Sequence, residues 1–122
     1  MEKKKLLDGI KVVDLTRVYT GPFSSQILAD MGAEIIKIED GGPNTNERSW
    51  APFAPGTKES TYFIGLNRGK KSIELNLKEP KALEIFYKLV KDADIVMENY
   101  APGVAPKLLV GYEQCRDRKS VV

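Results

Sequence analysis

Four short apolar runs, interleaved with two stretches whose apolar residues recur at helical spacing, set the rhythm of this chain. Residues 9–16, GIKVVDLT, are β-rich and alternate too little for a half-exposed strand, so they predict a strand at about 10–16 covered on both faces. Next comes PFSSQILADM, residues 22–31. It opens on a proline suited to a helix's first turn, sets Phe23, Ile27, Leu28 and Met31 on one side, and is stopped by Gly32. A second strand follows at 34–39 in AEIIKIE, and the strand–helix–strand order fits a right-handed crossover between parallel strands.

Residues 40–60 have neither period. They carry Pro43, Pro52 and Pro55 and predict a long loop, a feature that tends to be functional in a compact domain. TYFIGLNRGKKSIELNL then reads as a short apolar element, a basic turn and a third strand at 72–77. A helix at 79–92 has Pro80 in its first turn, Leu83, Phe86, Val90 and Ala93 on one side and lysines on the other. DIVMENY supplies a fourth strand at 94–99, and PGVAPKLLVG a short helix or turn. This alternation predicts an α/β domain with a mostly parallel sheet and flanking helices. Its binding edge is the set of strand C-terminal ends: Leu15 to Thr20, Glu39 to Gly42, Leu75 to Lys78 and Asn99 to Pro102.

Composition narrows the chemistry. The 122 residues are enough for one domain; 42% are hydrophobic, and the 30% that are charged nearly cancel to +2, unlike the one-signed field of a nucleic-acid binder. A single cysteine, Cys115, cannot form an intrachain disulfide, and the lack of histidine removes the commonest zinc ligand and acid/base group. These features predict a cytoplasmic protein with no bound metal. The start MEKKKLLDGI is too short in apolar residues for a signal peptide, and nothing approaches a membrane span.

Glu39 closes the second strand roughly where a ribose-binding acid would stand, yet the turn TRVYTGPFSSQ lacks the G-x-G-x-x-G that a dinucleotide's pyrophosphate needs. Phosphate-loop, zinc-peptidase and hydrolase-elbow motifs are missing as well. Asp14 and Asp30 read as a cap or a surface charge more readily than as catalysts. The cluster Arg68, Lys70 and Lys71 reads equally as a phosphate holder or a solvated basic turn.

Three blocks, LLDGIKVVDLTRVYTGPFSSQILADMGAEIIKIE, NRGKKSIELNLKEP and ADIVMENYAPGV, in this order and spacing, resemble the N-terminal part of class III CoA-transferases. This is the CaiB/BaiF family, which includes formyl-CoA transferase and α-methylacyl-CoA racemase. The resemblance covers about residues 6–115. It implies a Rossmann-like sheet, coenzyme A as the bound acyl carrier and an interlocked homodimer. By this resemblance CoA is contacted through Tyr19 and Thr20, through Leu75, Asn76, Leu77 and Lys78, and through Asn99, Tyr100 and Ala101. Lys107 stands where formyl-CoA transferase has an arginine, keeping the charge but losing the bidentate geometry. Asp40 replaces an arginine of that enzyme and is left out of the site. On the residues alone, Leu75 and Leu77 alternate like core positions, and Asn99 could simply serve backbone groups in its turn.

What the resemblance implies about catalysis is an aspartate that attacks an acyl-CoA thioester, yielding a mixed anhydride and then an aspartyl thioester that the incoming carboxylic acid resolves. That aspartate falls beyond the stretch represented here, as do the histidine and aspartate of the racemase branch. The alternatives are thus a transferase portion, a racemase portion, or a stand-alone CoA- or nucleotide-binding module. Residues 1–116 read as the N-terminal part of the family's large domain. Residues 117–122, DRKSVV, depart abruptly from the resemblance and equal the translation of a common sequencing-adapter string, so they read as a non-native tail.

Overall fold

A computed structural model describes residues 3–42 and 47–116. The four apolar runs become β1 (Lys11–Asp14), β2 (Glu34–Glu39), β3 (Lys71–Glu74) and β4 (Ile95–Met97). All pair in parallel, in the order β3-β2-β1-β4. Parallel neighbours require crossovers. Helix α1 (Thr20–Asp30) links β1 to β2, α2 (Thr61–Leu66) precedes β3, and α3 (Pro80–Asp92) links β3 to β4. Two short helices, α4 (Val104–Lys107) and α5 (Tyr112–Arg116), follow. Winding proceeds outward from β1 to β3 and then reverses to place β4 on the other side of β1. A reversal of this kind opens a crevice at the strands' carboxyl ends.

Both faces of the sheet are covered, as the weak alternation predicts. Val13, Leu15 and Ile38 join Leu75, Leu77, Phe86 and Val90 in one cluster, while Val12 and Ile35 pack with Leu28 and Ala29 in another. Phe86 and Val90 are wholly buried, and each such side chain contributes about 1.5–3 kcal/mol through removal from water. The α3 period therefore identifies the buried side correctly.

The apolar side expected of α1 is overturned in part. Its buried residues include Gly21, Pro22, Ser25 and Gln26, whereas Phe23 and Ile27 are 44% and 43% exposed. The reason lies on β1, where the buried Asp14 takes the Ser25 hydroxyl as a hydrogen-bond partner and so turns the polar side of the helix inward.

Strand ends are also shorter than the apolar runs. β1 stops at Asp14, whose Oδ1 accepts the Thr16 N–H at 2.8 Å and bends the chain. β3 spans Lys71–Glu74 rather than 72–77 because its one partner, β2, ends at Glu39; the Leu75 N–H to Glu39 carbonyl bond is the last rung. The short apolar element before β3 is helix α2, capped by Ser60, which accepts the Phe63 N–H at 3.3 Å. The long loop contains a 3₁₀ turn at Glu47–Ser49 and an antiparallel bridge between Phe53 and Ser60. The suspected tail, 117–122, lies outside the described residues.

Candidate functional site at the strand tips

Because every strand runs the same way, the segments after β1, β3 and β4 emerge along one edge. Tyr19 and Thr20 stand at the start of α1, and both are exposed. Asn99 and Ala101 are exposed beyond β4, with Tyr100 half-buried between them. Leu75 to Lys78 follow β3. Since β3 and β4 are the outer strands, three interstrand spacings separate them, roughly 14 Å. The predicted residues thus share an edge without meeting at one point.

Three successive backbone N–H groups at the tip of β1 are occupied from within the protein. Thr16 donates to Asp14 Oδ1, Arg17 to Asn99 Oδ1 and Val18 to Glu47 Oε1, each at 2.8 Å. In dinucleotide-binding sheets this turn offers its N–H groups to phosphate. Here carboxylate and amide oxygens already hold them, the structural counterpart of the missing glycine fingerprint. Val18 within this turn has φ +68°, a left-handed conformation that costs a β-branched residue on the order of 1–3 kcal/mol.

Asp14 is neither a cap nor a surface charge. It is fully buried, accepts hydrogen bonds from Thr16 and Ser25, and pairs at 3.1 Å with Lys70, whose side chain is 1% exposed. Lys70 also donates to the Pro22 carbonyl and Asn67 Oδ1, both at 2.9 Å. Burial lowers the Lys70 pKa below its ordinary value, outweighing the pull of Asp14 in the other direction. The basic cluster consequently disperses into separate pairs, Arg68 with Asp30 and Lys71 with Glu34. Arg68 and Lys71 stay exposed, as a solvated basic turn would have them, and Lys70 alone is drawn into the core. Glu39, at the end of β2, is likewise committed: Arg48 grips it with two bonds of 2.8 and 3.0 Å, and Ser72 donates to it.

A cleft of about 430 Å³ opens beside the ends of β2 and β3, with Asn76, Leu77 and Lys78 facing Asp40, Glu74 and Leu108. Leu75 and Leu77 are both buried in the same core cluster, as their alternation predicts, and Leu77 also forms part of the cleft wall. Asn76 shapes the exit from β3, its Oδ1 accepting the Lys78 N–H at 3.2 Å. Lys107 ends α4 and is exposed, outside the cleft lining that its neighbour Leu108 joins.

Arg17 was not singled out by the sequence, yet it connects the edge. Its backbone is held by Asn99, its guanidinium pairs with Asp40, and it lies 5.9 Å from the Tyr100 ring centre. Burial raises the Tyr100 hydroxyl pKa against the opposing charge of Arg17. A basic residue just past an apolar strand was the available signal for Arg17. Glu47, in a loop without period, offered none.

CoA-transferase family III matches the chain over residues 7–121. Among curated proteins, the chain is 46% identical over 113 residues to succinyl-CoA:glutarate CoA-transferase of Homo sapiens, covering 93% of this chain and 26% of that protein. It is 45% identical over 107 residues to acetyl-CoA:oxalate CoA-transferase of Acetobacter aceti, covering 88% and 27%. The crystal structure of a CAIB/BAIF family protein from Brucella suis superimposes with a TM-score of 0.86 at 35% identity, covering 96% of this chain and 32% of that one. The chain thus spans about a quarter of the curated relatives' length. With its four-stranded parallel sheet and a match along nearly its whole length, the chain belongs to CoA-transferase family III.

Proposed function

We propose that this chain is the CoA-binding portion of an acyl-CoA:carboxylate CoA-transferase. The observation that carries this reading is the family match over residues 7–121. The separation of the outer strand tips supports it, because a ligand reaching both Leu75–Lys78 and Asn99–Ala101 must be extended, as CoA is. Tyr19, Thr20, Asn76, Leu77, Lys78, Asn99, Tyr100 and Ala101 line its path, with Lys107 as an outlying cation. Lys78 is the cation of the cleft; the charge of Asp40 on the facing wall is met by Arg17, leaving Glu74 as the carboxylate opposed to phosphate. Leu75 contributes through its backbone, since its side chain belongs to the core.

In the full-length protein this portion holds the CoA thioester, and an aspartate from residues beyond this stretch acts as the nucleophile. A carboxylate attack divides one hard acyl transfer into easier steps. The full-length protein forms a homodimer and works in the cytoplasm. Its acceptors are carboxylic acids, short dicarboxylates of the glutarate and oxalate type being the first to try. Isothermal titration of CoA into the full-length protein, followed by an assay with succinyl-CoA and either acid, tests the reading. Binding in the micromolar range with CoA exchange between acids is expected; no CoA binding overturns it.

A further inference from the structure

The long loop between β2 and α2 places one of its carboxylates unusually deep. Glu47 is 7% exposed, and its Oε1 accepts the Val18 N–H at 2.8 Å across 29 residues of sequence. Its neighbour Arg48 grips Glu39 at the end of β2, so two consecutive residues dock the loop on the tips of adjacent strands. The Val18 side chain is 51% exposed, which means that packing does not hold its left-handed backbone. A glycine would adopt that conformation freely; valine must be held there. Of the three acceptors at this turn, Asp14 belongs to β1 and Asn99 follows β4, while Glu47 alone comes from the loop and acts on the strained residue itself.

We infer that Glu47 is a positioning residue: by holding the Val18 N–H it fixes the left-handed turn out of β1, and thereby sets where Tyr19 and Thr20 stand on the binding edge. The inference rests on the CoA reading above, in which Tyr19 and Thr20 contact the ligand. The bond to the Val18 N–H places the loop carboxylate one residue from Tyr19, at the start of the segment it positions.

The test uses the full-length protein with CoA and acyl-CoA. Glu47→Ala removes the acceptor and is expected to raise the CoA dissociation constant and the KM for acyl-CoA about tenfold, the effect of one charge-assisted hydrogen bond, with a smaller change in kcat. Glu47→Gln keeps a carbonyl oxygen for the Val18 N–H and is expected to stay within about threefold of the parent. Thermal midpoints of both variants are recorded alongside, because a merely structural role would lower the midpoint and the active fraction while leaving KM unchanged. If Glu47→Ala does not fold, Glu47→Asp, which withdraws the carboxylate by one methylene, is judged by the same tenfold expectation. Unchanged KM in the folded variant, or a Gln variant as weak as the Ala variant, overturns the role assigned to Glu47 while leaving the CoA reading intact. Failure of the parent protein to bind CoA overturns both.

Discussion

The side-chain amide of Asn99 lies across the end of β1 and grips the Arg17 backbone from both sides, accepting its N–H at 2.8 Å and donating to its carbonyl at 2.7 Å. An apolar strand ends in an amide because the neighbouring strand ends beside it with an unpaired N–H and C=O. The amide supplies the complementary acceptor and donor. Replacing Asn99 with alanine should lower stability by about 1 kcal/mol, since both bonds are solvent-exposed, and weaken CoA by about the same amount in the full-length protein. Urea unfolding and calorimetric titration check the two effects separately. Unchanged CoA affinity would confine Asn99 to its backbone role.

The buried pair of Asp14 and Lys70 supports the floor beneath that turn. Lys70→Met leaves the Asp14 carboxylate without its cation, and breaking such a pair from one side costs about 3–5 kcal/mol. Chemical denaturation should show a loss of that size or a failure to fold. Combining Lys70→Met with Asp14→Leu should recover part of the loss, because neither member of the pair is then left charged without the other.

Acid should loosen the loop before it unfolds the core. Burial raises the Glu39 pKa, but hydrogen bonds from Arg48 and Ser72 outweigh it and hold the carboxyl below its ordinary 4.5. A carboxyl whose folded pKa lies below its unfolded value stabilises the fold above the unfolded value. That contribution is lost as pH falls through the interval between the two. Unfolding free energy should therefore begin to decline below about pH 4.5. Arg48→Met should shrink the decline, which denaturation between pH 3 and pH 7, roughly, would measure.

Gly21 tests how tightly α1 meets the turn. An added Cβ would overlap Thr16 Cβ and stand 2.7 Å from its Cγ2, and Thr16 is itself buried and tied to Asp14. Gly21→Ala should cost on the order of 1–3 kcal/mol despite alanine's better helix propensity. A rise in the urea midpoint would show that the turn yields more readily than its contacts imply.

The 122-residue polypeptide made as it stands should turn over no acyl-CoA. It spans about a quarter of its curated relatives, and the function proposed above assigns the nucleophilic aspartate to residues outside that span. Incubating the folded chain with succinyl-CoA and glutarate or oxalate, and following acyl exchange, is the direct measurement. Turnover near the roughly 1–1,000 per second of ordinary enzymes would place the active centre within these residues.

Local pattern determined much of this molecule. The β2 bounds, Glu34–Glu39, agree with the apolar run, and Pro80 with the spacing of Phe86 and Val90 marks both the start and the buried side of α3. Parallel topology followed from the alternation of strands and helices, and with it the edge where Asn99 and Lys78 emerge. These properties depend on residues within a few positions of one another, where period and turn chemistry act. Tertiary structure decided the partners. Asp14 and Lys70 are 56 positions apart and Arg17 and Asn99 are 82, distances over which no period connects them. Only the strand order that sets β4 beside β1 brings Asn99 to Arg17. Only the burial of Asp14 explains why α1 turns Ser25 inward and leaves Phe23 and Ile27 in water, against the pattern of its own sequence.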